Sequence, residues 1–189
     1  MLVLRPNIGR SIAAAALLSM SIGAGACEKS PGNGVVRATY DENTGKLGQL
    51  TVNAGKDGKP DIFSYMDGGL VSRIEIDSDE DGKIDRWEYY GAGQKLEKVG
   101  SSRSNDGKPD SWFYQSPDGA VAKVEIATHR DGRVDRTEYY ADGQLSRAEQ
   151  DTDSDGRIDK WEEYVDGALV KVGFDLKKSG KPTTTIDYR

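Results

Sequence analysis

The chain has 189 residues, of which 32 are acidic and 26 basic, and its formal net charge is −6. Such an acidic chain is a poor partner for nucleic acid, whose phosphates are bound by clustered Lys and Arg. Hydrophobic residues make up only 35% of the chain and glycines number 23, so a thin repeat architecture is expected in place of a thick globular core.

The N-terminal segment has the layout of a secretory signal peptide. Arg5 and Arg10 give a weakly basic start, an apolar run extends from Ile12 to Ile22, and small residues follow at 23–26. The apolar run is too short for the roughly 20 residues that a membrane-spanning helix needs. We therefore expect residues 1–26 to be removed, which leaves a mature chain with 24 basic and 32 acidic side chains.

The single cysteine follows the small residues directly and cannot form an internal disulfide. The segment Ala24-Gly25-Ala26-Cys27 resembles the lipobox of bacterial lipoproteins, although Ala24 stands where the lipobox usually has Leu. The resemblance implies that Cys27 is acylated and that the exported protein is anchored by lipid to a bacterial membrane of the cell envelope. The alternative is ordinary cleavage after Ala26, which leaves a free thiol. In both cases the mature chain starts at Cys27, and residues 27–35 have the Gly, Pro and Ser content of a flexible tether.

The rest of the chain, residues 36–189, repeats with a period of about 24 residues. Asp-Gly pairs begin at positions 57, 81, 106, 131 and 155, and a degenerate Ser-Gly pair begins at 179. Each pair precedes large residues at alternating positions, as in Trp87 and Tyr89, which is the period of a β-strand with one aromatic face. A Gly-containing turn and a second apolar segment follow, and the uneven spacing of Val71, Ile74 and Ile76 predicts a β-bulge.

The predicted fold is therefore all-β, with tandem hairpins joined into an antiparallel meander or solenoid whose aromatic face provides the core. The fifth unit keeps Trp161 but has Glu163 and Tyr164 after it, which predicts a bulged or shifted strand. Segments such as 40–47 (YDENTGKL) and 138–145 (EYYADGQL) resemble the YD and MORN-like hairpin repeats of bacterial surface proteins. The terminal units, 34–52 and 175–189, break the consensus and are expected to act as caps.

Two loops between the predicted strands match the calcium-loop pattern D-x-D-x-D-G-x5-E. Alternating carboxylates, a carbonyl at the seventh position and a distal glutamate can supply the six to eight oxygens that calcium takes. With Lys or Arg at position seven, only the carbonyl would bind and the side chain would point away. The predicted ligands are Asp77, Asp79, Asp81, Lys83, Asp85 and Glu88 in one loop, and Asp151, Asp153, Asp155, Arg157, Asp159 and Glu162 in the other.

The loops resemble those of EF-hands, but their flanks are strand-like and not helical. The alternative is a solvated turn in which the aspartates accept local backbone hydrogen bonds. The corresponding loops at 53–57, 102–106 and 127–131 are degenerate, and weak calcium binding or none is expected there. His129, the only histidine, is expected to be a solvated side chain without a catalytic role.

The expected function is that of a membrane-anchored surface lipoprotein that acts as a calcium-stabilised structural or binding module for an unknown protein or glycan. The alternative is a calcium-responsive sensor or buffer, and less favoured are a metal-free repeat scaffold and a carboxylate-based glycan hydrolase. We expect no enzymatic activity, because no nucleophile–histidine pair and no phosphate-binding glycine loop is present. The aromatic residues expected for partner contact, or for a second packed layer, are Tyr90, Phe113, Tyr140 and Tyr164.

Overall fold

The computed structural model describes residues 35–55 and 57–188. They form one 13-stranded antiparallel sheet in which every strand pairs with its neighbours in sequence, in the order β1 to β13. The prediction of an all-β meander of hairpins is confirmed, and the sheet stays open. In the described part of the chain, no helix has the length and apolar character required to span a bilayer.

The strands are short and follow one another at regular intervals. Their bounds are β1 Val35–Tyr40, β2 Leu47–Asn53, β3 Ile62–Asp67, β4 Leu70–Ile76, β5 Arg86–Tyr90, β6 Leu96–Ser101, β7 Ser111–Gln115, β8 Val121–Ile126, β9 Arg136–Ala141, β10 Gln144–Gln150, β11 Lys160–Val165, β12 Ala168–Phe174 and β13 Thr184–Asp187. A 3₁₀ turn at Ala92–Gln94 joins β5 to β6.

The predicted signal peptide, Cys27 and nearly all of the predicted tether lie outside the described residues. Val35, which the sequence places at the end of the tether, is already the first residue of β1. The terminal strands β1 and β13 form the open edges of the sheet, and all of their residues are exposed.

The hairpins share a bulge, as the spacing of their apolar residues predicts. In the β3–β4 hairpin, Tyr65 pairs with Arg73 while the next residue, Met66, pairs with Val71, which leaves Ser72 as the extra residue. The Ser72 hydroxyl donates to the Tyr65 carbonyl at 3.0 Å. The local hydroxyl bond satisfies a backbone acceptor next to the interrupted ladder.

Of the two predictions for the fifth unit, a bulge is found between Glu163 and Tyr164, and a register shift relative to the other hairpins is not. Trp161 pairs with Gly173, Glu163 with Lys171 and Tyr164 with Leu169. This is the register of the β5–β6 hairpin, in which Tyr89 pairs with Lys98 and Tyr90 with Leu96. Glu163 therefore takes the place of a tyrosine in the aromatic row, and the bulge and turn keep the register because they do not depend on that side chain.

The sheet is a single layer, since extensive contacts join only adjacent strands, apart from the 3₁₀ turn against β4. The aromatic row is mostly half-buried, with Trp87 its buried member. Its ring faces are covered by cations from neighbouring strands: Lys98 Nζ lies 3.8 Å from the Trp112 ring centroid, and the Arg73 guanidinium 4.1 Å from that of Tyr65.

The most buried apolar row lies on the opposite face, which corrects the expectation that the aromatic face alone provides the core. Val99, Val124, Ala148 and Val172 are each at most 6% exposed. Each lies between two larger side chains on the neighbouring strands, which are drawn from Glu88, Phe113, Glu138, Glu162 and Ile186. Small residues in the middle of a single-layer sheet can be covered by their long neighbours, whereas large aromatic rings need a second layer for complete burial.

Candidate metal-binding loops

The longer loops connect each hairpin to the next. They lie in one row at the same end of the strands. Backbone hydrogen bonds join consecutive loops: Asp77 N donates to Asp61 O, Ser102 N to Asp85 O and Ala127 N to Asp110 O, each at 2.8 Å. Two further bonds of the same kind continue the row, from Asp151 N to Asp135 O and from Asp175 N to Asp159 O. We call this array the loop row. It places each loop at a fixed distance from the preceding one.

Within the loop row, 77–85 is the first acidic loop and 151–159 the second. In the first, Gly82 N donates to Asp77 Oδ2 at 2.8 Å, and Ser78 N donates to Asp85 Oδ2 at 2.7 Å. Gly82 has a φ of 91°, which only glycine adopts without strain. The two aspartates at the ends of the loop thus hold its backbone in a tight curve, as the turn interpretation predicts.

This curvature brings three carboxylates of each acidic loop together. One oxygen from each of Asp77, Asp79 and Asp85 lies within 4.8 Å of the others, and Asp151, Asp153 and Asp159 form the same arrangement. Three carboxylates so close repel one another strongly unless a cation neutralises them. Both acidic clusters could therefore hold a metal ion, and the donors come from the first, third and ninth loop positions.

The carboxylates at the fifth position are not part of the two clusters. Asp81 Oδ1 accepts a bond from Lys83 N at 2.8 Å, and its Oδ2 lies 3.2 Å from Lys83 Nζ. These bonds hold the pKa of Asp81 below its ordinary value. The Lys83 side chain therefore folds back on the loop, whereas the sequence predicts that it points away. In the second acidic loop Asp155 accepts from Arg157 N at 3.0 Å.

The predicted distal glutamates belong to the sheet and are not brought to the acidic clusters. Glu88 accepts bonds from Arg86 Nε and from the Tyr90 hydroxyl, both at 2.6 Å. Glu162 is 7% exposed and lies 2.8 Å from Arg136 Nη2 and 2.6 Å from Lys160 Nζ. The reason is local structure, because an EF-hand helix would return its twelfth residue to the ion, whereas a strand carries it away along the sheet.

Glutamates of the sheet form hydrogen bonds with three of the four aromatic residues considered for partner contact. The hydroxyl groups of Tyr90, Tyr140 and Tyr164 donate to Glu88, Glu138 and Glu162. Burial, and then the hydrogen bond to a carboxylate, raise the pKa of each of these tyrosines. Together with Phe113 they are half-buried, so they contribute to the packing of the sheet and still reach its surface.

The degenerate loops use different side chains at the same positions. In loop 127–135, His129 Nδ1 and the Thr128 hydroxyl contact Asp135 Oδ2. The His129 side chain is 54% exposed, in agreement with the sequence expectation of a solvated residue. In loop 102–110, Arg103 pairs with Asp110, whose side chain is only 3% exposed. Burial alone would raise the pKa of Asp110, but bonds from Arg103 outweigh this effect and lower it.

A depression of about 660 Å³ lies at the opposite ends of the strands from the loop row, at the hairpin turns after β5 and β7. Its carboxylates include Glu97 and Asp118. The Ser116 hydroxyl and Ala120 N donate to Asp118 Oδ1, and these bonds lower the pKa of that carboxyl. Asp118 therefore acts as a turn-forming acceptor.

No family model matches the chain, and no curated protein matches it significantly. Solved structures with partial likeness include TarM, at 16% identity and a TM-score of 0.41, which covers 56% of this chain and 20% of that one. Accessory secretory proteins 1, 2 and 3 of Streptococcus pneumoniae match at 14% identity and a TM-score of 0.28, over 79% of this chain and 20% of theirs. The chain thus spans about a fifth of the structures it matches. These likenesses are too low to carry an argument about function.

Proposed function

We propose that the chain is an exported lipoprotein, anchored to a bacterial membrane through Cys27, and that its sheet is a calcium-stabilised structural or binding module without enzymatic activity. The observation that carries the proposal is the pair of acidic clusters, Asp77/Asp79/Asp85 and Asp151/Asp153/Asp159, in the same phase of the loop row. The loop row joins every hairpin to the next, so a bound ion would act where the hairpins are held together.

The donor chemistry favours calcium. Each cluster offers carboxylate oxygens and neither includes a histidine or cysteine, which zinc or copper would prefer. Calcium accepts irregular sets of six to eight oxygens, so backbone carbonyls and water can complete the shell around three aspartates. Magnesium requires a near-ideal octahedron and gives up its water reluctantly, which makes it a weaker candidate for these loops.

A stabilising role follows from the thinness of the sheet. Apolar residues that are fully or nearly buried in the described part are few and small, apart from Trp87. Cross-strand ion pairs and cation–π contacts on half-exposed faces contribute only about 0.2–1 kcal/mol each. An ion that binds only the folded loops adds its binding free energy directly to the free energy of unfolding. Calcium would therefore be a substantial part of the stability of this sheet.

The anchor interpretation rests on the sequence around Cys27, which lies outside the described residues. Residues 27–34 precede β1 and could span at most about 28 Å when fully extended. Two or three acyl chains on Cys27 would hold the protein on a bilayer durably, at about 0.8 kcal/mol for each buried methylene. The sheet would then stand close to the membrane surface, with both faces accessible to a protein or glycan partner.

The absence of enzymatic activity is part of the proposal and is supported by the state of the carboxylates. Glu88, Glu138 and Glu162 are engaged by Arg, Lys and Tyr on the sheet, and Asp118 by its own turn. A glycosidase needs one carboxyl with a raised pKa as the acid. The pKa values of Glu162 and Asp118 are lowered, for Glu162 because bonds from Lys160 and Arg136 outweigh its burial.

The experiment is thermal unfolding of the mature chain with millimolar calcium and with chelator. At a calcium concentration one hundred times Kd, mass action adds about 2.7 kcal/mol. For a domain of this size the melting temperature should rise by about 5–10 °C. The double variant Asp79→Ala/Asp153→Ala should lose the rise, and His129→Ala, at the same loop position in a degenerate loop, should retain it. Identical melting of all samples in both buffers would refute calcium stabilisation.

A second measurement separates a passive module from a sensor. Once a partner is identified by pull-down from envelope extracts, its affinity is measured with calcium and with chelator. Retained affinity without calcium supports the passive module. A loss of affinity while the protein remains folded would make calcium itself the functional ligand and favour the sensor.

A further inference from the structure

We infer that the two acidic loops differ in calcium affinity, and that the difference is set by the fourth residue of the following loop in the loop row. Neutral Asn105 leaves the first acidic loop (77–85) available as the high-affinity site, whereas Lys178 occupies the second (151–159) as a built-in cation. The inference rests on the proposed calcium function. It goes further because the two loops match the same calcium-loop pattern in full, whereas the residues that reach them from the following loop differ in charge.

In the loops that follow the two acidic loops, the fourth residue reaches back to the acidic loop before it. It has a left-handed backbone, with φ of 52° at Asn105 and 53° at Lys178. Asn105 Nδ2 lies 3.0 Å from Asp79 Oδ2 and 3.1 Å from Asp81 Oδ2. Lys178 Nζ lies 3.2 Å from Asp153 Oδ2 and 2.6 Å from Asp155 Oδ2. The same backbone position therefore contacts the third and fifth carboxylates of the loop before it.

The first acidic loop has carboxylate oxygens to spare. Asp77 is 7% exposed, and its Oδ1 is buried without a hydrogen-bond partner. A buried carboxylate oxygen without a partner is costly, and a cation is the ligand that would offset this cost. Its other oxygen, Oδ2, is held by Gly82 N, so Oδ1 is the oxygen left for an ion shared with Asp79 and Asp85.

Asn105 adds a second unsatisfied oxygen beside the first acidic loop. Its Oδ1 is buried without a partner while Nδ2 faces the carboxylates. A half-turn of the amide would exchange the two atoms and present an oxygen to a bound cation. Asn105 thus carries no charge that opposes a cation and could itself become a ligand. The ammonium group of Lys83 also folds onto this loop, but it contacts Asp81 at 3.2 Å and the Asn105 carbonyl at 2.9 Å, and Asp81 is not one of the three clustered aspartates.

The corresponding oxygens of the second acidic loop are already used. Asp151 accepts bonds from Asp155 N at 3.2 Å and from Gly156 N at 2.7 Å, one on each oxygen. Asp159 accepts from Thr152 N at 2.9 Å and from the Thr152 hydroxyl at 2.8 Å, again one on each oxygen. The ammonium group of Lys178, in contact with Asp153 and Asp155, neutralises part of the remaining charge. A calcium ion would have to displace or tolerate this ammonium group.

The experiment exchanges the two residues. Calcium binding is measured by titration calorimetry on the purified exported protein in detergent and on the variants Asn105→Lys and Lys178→Asn. The wild type should show one tight site, which Asp79→Ala removes and Asp153→Ala leaves unchanged. Asn105→Lys should weaken this site at least about tenfold, because it places a positive charge next to a divalent ion. Lys178→Asn should produce a second site of comparable affinity.

Folding is checked by circular dichroism of every variant. Lysine at φ 53° is already present in the wild type at 178, and asparagine at φ 52° at 105, so each exchange uses a residue known to fit its new backbone. Two sites of equal affinity in the wild type, or an equal loss from Asp79→Ala and Asp153→Ala, would overturn the inference and leave the proposed calcium function intact. No calcium binding at all would overturn the proposed function itself.

Discussion

Replacing Gly100 with alanine tests the close packing of the aromatic row. Gly100 lies on β6 and pairs with Trp87 and Trp112, and the Trp112 ring covers it. A Cβ at this position would lie 2.5 Å from Cζ3 and 2.9 Å from Cε3 of Trp112. No real Cβ contact is so short, so the indole must move away from the strand.

The expected cost comes from two opposed effects. Alanine in a strand interior should stabilise by roughly 0.5–1 kcal/mol, because glycine loses more backbone entropy on folding. Forcing a methyl group into a packed contact costs typically 1–3 kcal/mol. Movement of Trp112 also disturbs its cation–π contact with Lys98 at 3.8 Å and its ring contact with Tyr89 at 5.9 Å. We expect a net destabilisation of about 1–2 kcal/mol, which corresponds to roughly 2–8 °C in melting temperature.

The assay is urea unfolding followed by tryptophan fluorescence and circular dichroism. Gly69→Ala is the matched control, because a Cβ at Gly69 has no atom within 4 Å and its φ is not positive. In a Trp112→Ala background the effect of Gly100→Ala should disappear or reverse, since the clash has been removed. If Gly100→Ala were as stable as the wild type in the presence of Trp112, the packing described for this row would be wrong.

Three further predictions concern charge and anchoring. Burial alone would raise the pKa of Glu162, but it is lowered by Lys160 and Arg136. A carboxyl with a lowered pKa in the folded state stabilises at pH values above its unfolded pKa of about 4.3. This stability is lost as the pH falls through the folded pKa. Urea unfolding should therefore give a constant free energy from pH 7 to about 5 and a decrease below about pH 4, and a fall already between pH 7 and 5 would contradict this assignment. Arg136→Leu removes the guanidinium that lies 2.8 Å from Glu162 and should destabilise by about 2–3 kcal/mol in the same assay. The more exposed Arg147→Leu should cost less than about 1 kcal/mol, and equal losses would count against a special role for Arg136. Cys27→Ser should abolish incorporation of labelled palmitate and release the protein from the membrane fraction. If Cys27 of the wild-type protein reacts with thiol reagents, the cysteine is not acylated and ordinary cleavage after Ala26 is indicated.

The repeat and its strands could be predicted because they are local properties of the sequence. Alternating residues such as Trp87 and Tyr89, followed by a Gly turn, specify a hairpin without reference to the rest of the chain. The bulge was also predictable from the uneven spacing of Val71, Ile74 and Ile76. The register of the fifth unit could not be predicted in the same way. In the sequence, Glu163 followed by Tyr164 looks like a shift by one residue, whereas in the sheet Glu163 simply replaces a tyrosine.

The candidate site could be predicted only in part. Asp77, Asp79 and Asp85 were chosen by their spacing, and the structure brings these three together. Glu88 was chosen from the same pattern, yet the structure joins it to Arg86 and Tyr90 on the sheet. The pattern describes a loop flanked by helices, in which the twelfth residue returns to the ion. Here the twelfth residue lies on β5, and the strand carries it away from the loop.

The sequence by itself determined which segments are strands, where the turns fall and which loops concentrate negative charge, because each depends on residues within one repeat. Only the tertiary structure decided that each loop is completed by its neighbour. Asn105 lies against Asp79, and Lys178 against Asp153, at 26 and 25 residues' distance along the chain. Two loops with the same internal pattern can thus differ in their electrostatics. The interaction of charges depends on separation in space, and the stacking of hairpins sets that separation.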